Sequence, residues 1–173
     1  MVIETKRLII RKYNSEDLME LYSLLSDPIT MSHYPKPYDL DGAKRWLNWC
    51  INSYEKYGFG LWALELKDGN AFIGDCGLSM QNIDGEILPE IGYHIKKEYW
   101  RKGYAHEAAS AVRDWAFENT DFKALYSYMT TSNIGSYKTA ESIGLTRIKE
   151  YLDEGIPHYV YQILKVEEKT NER

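Results

Sequence analysis

Apolar residues along this chain recur in two alternating rhythms, one of period two and one of period three to four, with Gly, Pro, Asn or Asp at most changeovers. Over residues 7–13, Leu8 and Ile10 alternate with polar neighbours, the pattern of a half-buried strand. Asn14 or Ser15 then caps a helix carrying Leu18, Leu21, Tyr22 and Leu25 on one stripe. Asp27-Pro28 ends it, because the residue before proline is pushed out of the helical region. An aromatic, Pro-rich loop occupies residues 33–38. Asp39 caps a second helix in which Ala43, Trp46, Leu47, Cys50, Ile51 and Tyr54 repeat at helical spacing up to Gly58.

Three strands are predicted next, at residues 59–67, 71–80 and 88–95. Asp68-Gly69-Asn70 and Asn82-Ile83-Asp84-Gly85 supply hairpin turns between them. A helix over residues 104 to about 119 buries Ala105, Ala108, Ala109, Val112 and Ala116. A strand at 124–129 leads into a short helix at 136–142, ended by Gly144. Two closing strands, 145–152 and 159–166, turn at Asp153-Glu154-Gly155. The order β-α-α-β-β-β-α-β-α-β-β predicts an α/β (α+β) sheet that mixes hairpins with parallel crossovers.

A length of 173 residues suits one domain over residues 1–173, with 167–173 a frayed, solvated tail. Hydrophobic residues at 44% and charged residues at 27% mark a globular chain. No apolar run reaches bilayer length, and the first seven residues lack a signal-peptide pattern, so no membrane partner and a cytoplasmic location are expected. Cys50 and Cys76 have neither the number nor the spacing for a disulfide scaffold or a zinc site, so they read as buried thiols with no metal. The net charge of −5 argues against nucleic acid and weakly favours cationic partners such as amines.

Chemistry concentrates in residues 89–108. There a strand leaves the sheet, crosses a basic loop and enters a helix through Arg101-Lys102-Gly103-Tyr104-Ala105. Free N–H groups and the dipole at a helix start attract anions, Gly103 permits close backbone approach, and Arg101 and Lys102 add cations. The segment reads either as a pyrophosphate cradle or as a tight turn with solvated cations. It is neither G-x-G-x-x-G nor a P-loop. In residues 130–145 a second strand runs out into Asn133, and Ser136 opens a helix; either residue can be an N-cap and nothing more.

Together these segments resemble the GNAT superfamily of N-acetyltransferases, in its branch of ribosomal-protein N-terminal acetyltransferases. The family's acetyl-CoA motif, [QR]-x-x-G-x-[GA], falls on Trp100 to Ala105, with Trp100 in the leading position and Glu107-Ala108 behind. Its later N-x-x-S and E-x-x-G-[FL] pattern falls on Asn133, Ser136, Glu141, Gly144 and Leu145, and Thr5-Lys6-Arg7-Leu8-Ile9-Ile10-Arg11 is similar to the branch's opening. The resemblance spans nearly the whole chain. It implies a mixed, mostly antiparallel twisted sheet of about seven strands with four helices, splayed into a V between the fourth and fifth strands.

It further implies that the main chain around His94, Ile95 and Lys96 pairs with the pantetheine arm of acetyl-CoA, the cosubstrate. The pyrophosphate then sits on the N–H groups of Arg101, Lys102, Gly103, Tyr104 and Ala105, Asn133 holds the arm, and Ser136 lies near the sulfur. Period-two alternation puts Glu90, Gly92 and His94 on one strand face. Glu90 is the candidate base and His94 the second; a structural carboxylate and a merely hydrogen-bonded imidazole remain the alternatives. Many relatives use a tyrosine as general acid where this chain has Ala140, which leaves Ser136 or water to serve the thiolate. His33, Tyr34 and Trp62 fall where the family builds its substrate wall. The expected partner is an amine, a small molecule or a protein N-terminus, with a homodimer possible. A catalytically lapsed acyl-CoA-binding module and a nucleotide-binding regulator are the rival readings.

Overall fold

The computed structural model describes residues 2–166, so the expected frayed tail at 167–173 lies outside the described residues. Eight strands form one sheet: β1 (Ile3–Glu4), β2 (Leu8–Arg11), β3 (Leu61–Leu66), β4 (Phe72–Ile83), β5 (Glu86–Ile95), β6 (Ala124–Thr130), β7 (Thr146–Asp153) and β8 (Ile156–Leu164). The four helices are α1 (Leu18–Leu25), α2 (Leu40–Tyr57), α3 (Tyr104–Asn119) and α4 (Ile134–Ser142). The count exceeds the expected seven strands because the chain before residue 7 folds back onto β2, with Val2 N–H donating to the Ile10 carbonyl at 2.8 Å.

Local chemistry sets the element ends. Asn14 caps as expected, but the turn it opens is a 3-10 turn, Ser15–Asp17, that precedes α1. The Asp39 side chain accepts from Gly42 N–H at 2.7 Å at the start of α2, and Gly58 (φ 77°) ends that helix.

The strand order is β1-β2-β3-β4-β5-β6-β8-β7, and every neighbouring pair is antiparallel except β5 and β6. Those two run parallel and meet at a single position, Glu90 opposite Tyr126. This is the V-shaped splay, between the fourth and fifth of the expected strands once the extra β1 is counted.

The β4–β5 hairpin turns tightly at Asp84 (φ 51°) and Gly85 (φ 86°), both left-handed as a two-residue hairpin turn requires. The sequence had suggested a four-residue turn beginning at Asn82. The shorter turn changes the register, so that Asp75 faces His94 and Ser79 faces Glu90.

One face of the sheet carries Trp62, Cys76 and Tyr93, which are paired across β3, β4 and β5. On it the Trp62 ring meets the edge of Trp115 from α3 at 4.9 Å, and the Tyr93 hydroxyl donates to the Ser136 carbonyl of α4 at 2.7 Å. The other face carries Asp75, Glu90 and His94, and Trp46 of α2 stands edge-on to the His94 ring at 5.4 Å. Trp62 is therefore a core residue, 0% exposed, and not part of the substrate wall as the sequence suggested. Strand alternation fixes its side of the sheet, and α3 covers that side.

Candidate functional site

The divergence of β5 and β6 opens a cleft of about 1480 Å³ that joins the two faces of the sheet. Lys96 N–H donates to the Ile73 carbonyl of β4 at 2.8 Å, whereas the Ile91 carbonyl accepts from the Ser127 hydroxyl of β6 at 2.7 Å. Strand alternation thus turns the backbone groups of Ile91, Tyr93 and Ile95 toward the splayed edge and those of His94 and Lys96 toward β4. The Ile95 carbonyl accepts from the Trp100 indole at 2.7 Å, which leaves Tyr93 and the Ile95 N–H on the open edge. Of His94, Ile95 and Lys96, the three expected to offer main chain here, only Ile95 faces the open edge, and Tyr93 faces it as well. The Lys96 ammonium is also turned elsewhere, to Glu20 at 3.3 Å.

At one end of the cleft Arg101 (φ 60°) and Gly103 (φ 81°) bend the chain sharply into α3. The N–H groups of residues 101–106 find no protein acceptor among the described residues, and α3 has no side-chain cap. Donors left open at a helix start suit a phosphate. Arg101, Gly103, Tyr104 and Ala105 line the cleft. Lys102 contributes only backbone, since its ammonium donates to the Glu98 carbonyl at 3.0 Å and lies over the Tyr99 ring.

Asn133 and Ser136 line the cleft from the α4 side. Asn133 is the cap of α4, its side chain accepting from Ser136 N–H at 3.1 Å. Ser136 is thus not the cap, and its hydroxyl has no hydrogen-bond partner among the described residues. Ala140 is fully buried and supplies no hydroxyl.

The cleft's other side, on the sheet face of Asp75 and His94, holds a chain of hydrogen bonds. Asp75, 0% exposed, lies 2.6 Å from His94 Nδ1 through Oδ1 and accepts from the Tyr13 hydroxyl at 3.1 Å through Oδ2. His94 Nε2 lies 2.5 Å from the Tyr34 hydroxyl. Tyr34 is 36% exposed, yet its hydroxyl end is turned inward onto His94. Burial and the neighbouring carboxylates of Glu90 and Asp75 hold the Tyr34 phenol well above its ordinary range. Burial disfavours charge on His94, but Asp75 and Glu90 outweigh it and raise the imidazole pKa. Glu90 accepts from the Ser79 hydroxyl at 3.2 Å. Burial pushes its carboxyl up to about 7, against the opposing pull of His94 and Ser79. A carboxylate so placed can take up and release a proton near neutral pH.

Of the expected wall, Tyr34 and the exposed His33 line the cleft and Trp62 does not. Sequence reasoning missed Asp75 and Trp46 as parts of the site. The signal for Asp75 was a lone carboxylate within the apolar run Phe72-Ile73-Gly74-Asp75-Cys76-Gly77-Leu78. Cys50 and Cys76 are both buried and unpaired. Among the described residues no cluster of His, Cys, Asp or Glu could hold a metal ion, and no helix is long and apolar enough to cross a membrane.

Comparison with known proteins matches this architecture to a family. The model for the acetyltransferase (GNAT) domain matches residues 7–146. The uncharacterized protein YkkB of Bacillus subtilis is 33% identical over 159 residues, which cover 91% of this chain and 92% of YkkB. The uncharacterized N-acetyltransferase YnaD of the same organism is 30% identical, with 96% of this chain and 99% of YnaD covered. Among solved structures, an acetyltransferase from Agrobacterium tumefaciens superposes with a TM-score of 0.81 at 26% identity, over 94% of each chain. With a splayed sheet, an open-ended α3 and a family match over most of its length, this chain belongs to the acetyltransferase (GNAT) domain family, whose chemistry is acetyl transfer from acetyl-CoA.

Proposed function

We propose that the protein acetylates a primary amine, on a small molecule or a protein N-terminus, by direct attack within a ternary complex. The observation that carries this reading is Glu90, whose carboxyl is pushed up to about 7 on the acceptor face of β5, where that strand parts from β6. An ammonium has no lone pair, so attack needs a group that can remove a proton, and Glu90 suits that role at neutral pH.

Acetyl-CoA supplies an activated acyl group. The open backbone groups of Tyr93 and Ile95, the free N–H groups from Arg101 to Ala105, and Asn133 would hold it. Ser136 would donate a hydrogen bond to the leaving sulfur, aided by the dipole of α4. Tyr34 and His33 would meet the acceptor.

The test is release of free thiol from acetyl-CoA, measured with spermidine, lysine, an aminoglycoside and an alanyl peptide as acceptors. Amine-dependent release from at least one of them is the expected result. Tight binding of acetyl-CoA with no release from any would make the protein a binding module.

A further inference from the structure

Acetylation of an ammonium removes two protons from one nitrogen and adds one to the sulfur that leaves. Glu90 accounts for one nitrogen proton in the reading above, on which this inference rests. The site has a second group able to take the other. Glu90 and His94 sit on one face of β5, about 13–14 Å apart along the strand by the usual rise of about 3.4 Å per residue. Between them lies Gly92, which has no side chain, and the Glu90 carboxylate leans over it, Oε2 standing 3.8 Å from where a Gly92 Cβ would lie, so the carboxylate reaches toward His94 from its own backbone position. At the His94 end the inward Tyr34 hydroxyl joins His94, and behind His94 lies the fully buried Asp75.

We propose that Asp75, His94 and Tyr34 form a proton relay that accepts the second nitrogen proton through the Tyr34 hydroxyl and returns it to the departing sulfur. As the new C–N bond forms, the N–H bond breaks toward Tyr34 Oη and the Tyr34 O–H bond breaks toward His94 Nε2. Asp75 Oδ1 holds His94 Nδ1–H and balances the imidazolium so formed. When the C–S bond breaks, its electron pair leaves on sulfur. The proton on His94 then passes back through Tyr34 to complete the thiol, while the proton on Glu90 goes to solvent. Tyr34 is the member that meets the substrate, and His94 and Asp75 are positioning residues behind it. The relay thereby does the work of the hydroxyl that Ala140 lacks, with Ser136 contributing a hydrogen bond to sulfur.

The geometry favours a functional reading over a purely structural one. A packing role for His94 needs only the Asp75 contact, yet Nε2 is also engaged, by a phenol from a different segment that lines the cleft. The arrangement has the base-and-orienter order of a catalytic triad, with tyrosine in the outer place.

Thiol release by the full chain with the same four amines tests the relay. Tyr34→Phe lies in a surface loop and removes only the hydroxyl, and His94→Gln is its companion. Each should lower kcat by about 10²-fold with little change in KM for acetyl-CoA. The double variant Tyr34→Phe/His94→Gln should be no slower than either single one, because a relay is lost as a unit. Asp75→Asn should fall with them in kcat per folded molecule. A Tyr34→Phe enzyme with wild-type kcat, or single losses that multiply in the double variant, would overturn the relay and leave the acetyltransferase reading standing. A wild-type protein that released no thiol with any amine would overturn that reading, and the relay with it.

Discussion

Arg7 and Glu107, one hundred positions apart, meet at 2.6 Å between Arg7 Nε and Glu107 Oε2. The same carboxylate accepts from Arg7 N–H and from the Thr5 hydroxyl, each at 2.7 Å. Arg7 goes on to donate to the Lys102 carbonyl at 2.9 Å, and its guanidinium lies 4.2 Å over the Tyr104 ring. The N-terminal turn thus braces the loop that leads into α3, where the free N–H groups lie.

Loosening this brace should weaken acetyl-CoA binding more than chemistry. Arg7→Gln and Glu107→Gln are each expected to raise KM for acetyl-CoA about tenfold, equivalent to about 1.4 kcal/mol, with kcat nearly unchanged. Burial opposes the charged form of Glu107, yet its bonds to Thr5 and Arg7 prevail and hold its pKa below the ordinary 4.5. A depressed carboxylate stabilises the fold above its ordinary pKa and ceases to as the pH falls through the lowered value. Thermal melts of wild type and Glu107→Gln should therefore differ at pH 7 and converge in strong acid.

Gly103→Asp should abolish most acetyl-CoA affinity while the protein stays folded. Its φ of 81° disfavours any side chain, and an added carboxylate would face the phosphate with charge as well as bulk. Gly103→Ala is the control. Its Cβ would meet only Arg7 Nη2, at 3.4 Å, so the expected loss is strain of about 1 kcal/mol. Calorimetry with CoA on both variants separates charge from strain, and equal affinities would remove the phosphate from this loop.

Glu90→Gln is expected to be slower and more stable at once. Turnover should drop by about 10²-fold, with the deficit shrinking at high pH as free amine accumulates. A carboxyl whose folded pKa is raised from 4.5 to about 7 contributes stability below 4.5 that is lost as the pH rises through about 7. Glutamine has no such loss, so the variant should melt above wild type at pH 8 and level with it at pH 4. Identical melts at both values would mean that the carboxyl is not held near 7.

Ser136→Ala should slow transfer without unfolding anything. With Asn133 capping α4, the Ser136 hydroxyl is free to serve the sulfur. Its loss is expected to cost about 1–3 kcal/mol of barrier, roughly 10–100-fold in rate. Asn133→Ala should instead lower stability by about 1 kcal/mol. Melting temperature and turnover measured on both variants would reverse this assignment if Ser136→Ala lost stability and kept its rate.

The sequence by itself determined the order of the elements from residue 7 onward and the glycine-bearing loop before α3. Amphipathic spacing with Gly58 and Gly103 at the ends marked α2 and α3, because helix boundaries depend on neighbouring residues and local backbone preference. Strand alternation likewise put Glu90 and His94 on one face. Which face, and opposite what, depended on tertiary structure. The turn at Asp84 and Gly85 is two residues shorter than the sequence reading allowed, and that difference moves Asp75 from a place beside Gly92 to one opposite His94. Trp62, which the resemblance put in the substrate wall, is a core residue because α3 covers its side of the sheet. Tyr34 reaches His94 from a loop sixty residues earlier in the chain. Such contacts come from the register between strands and the way helices close over them, which the local pattern of one chain segment does not encode.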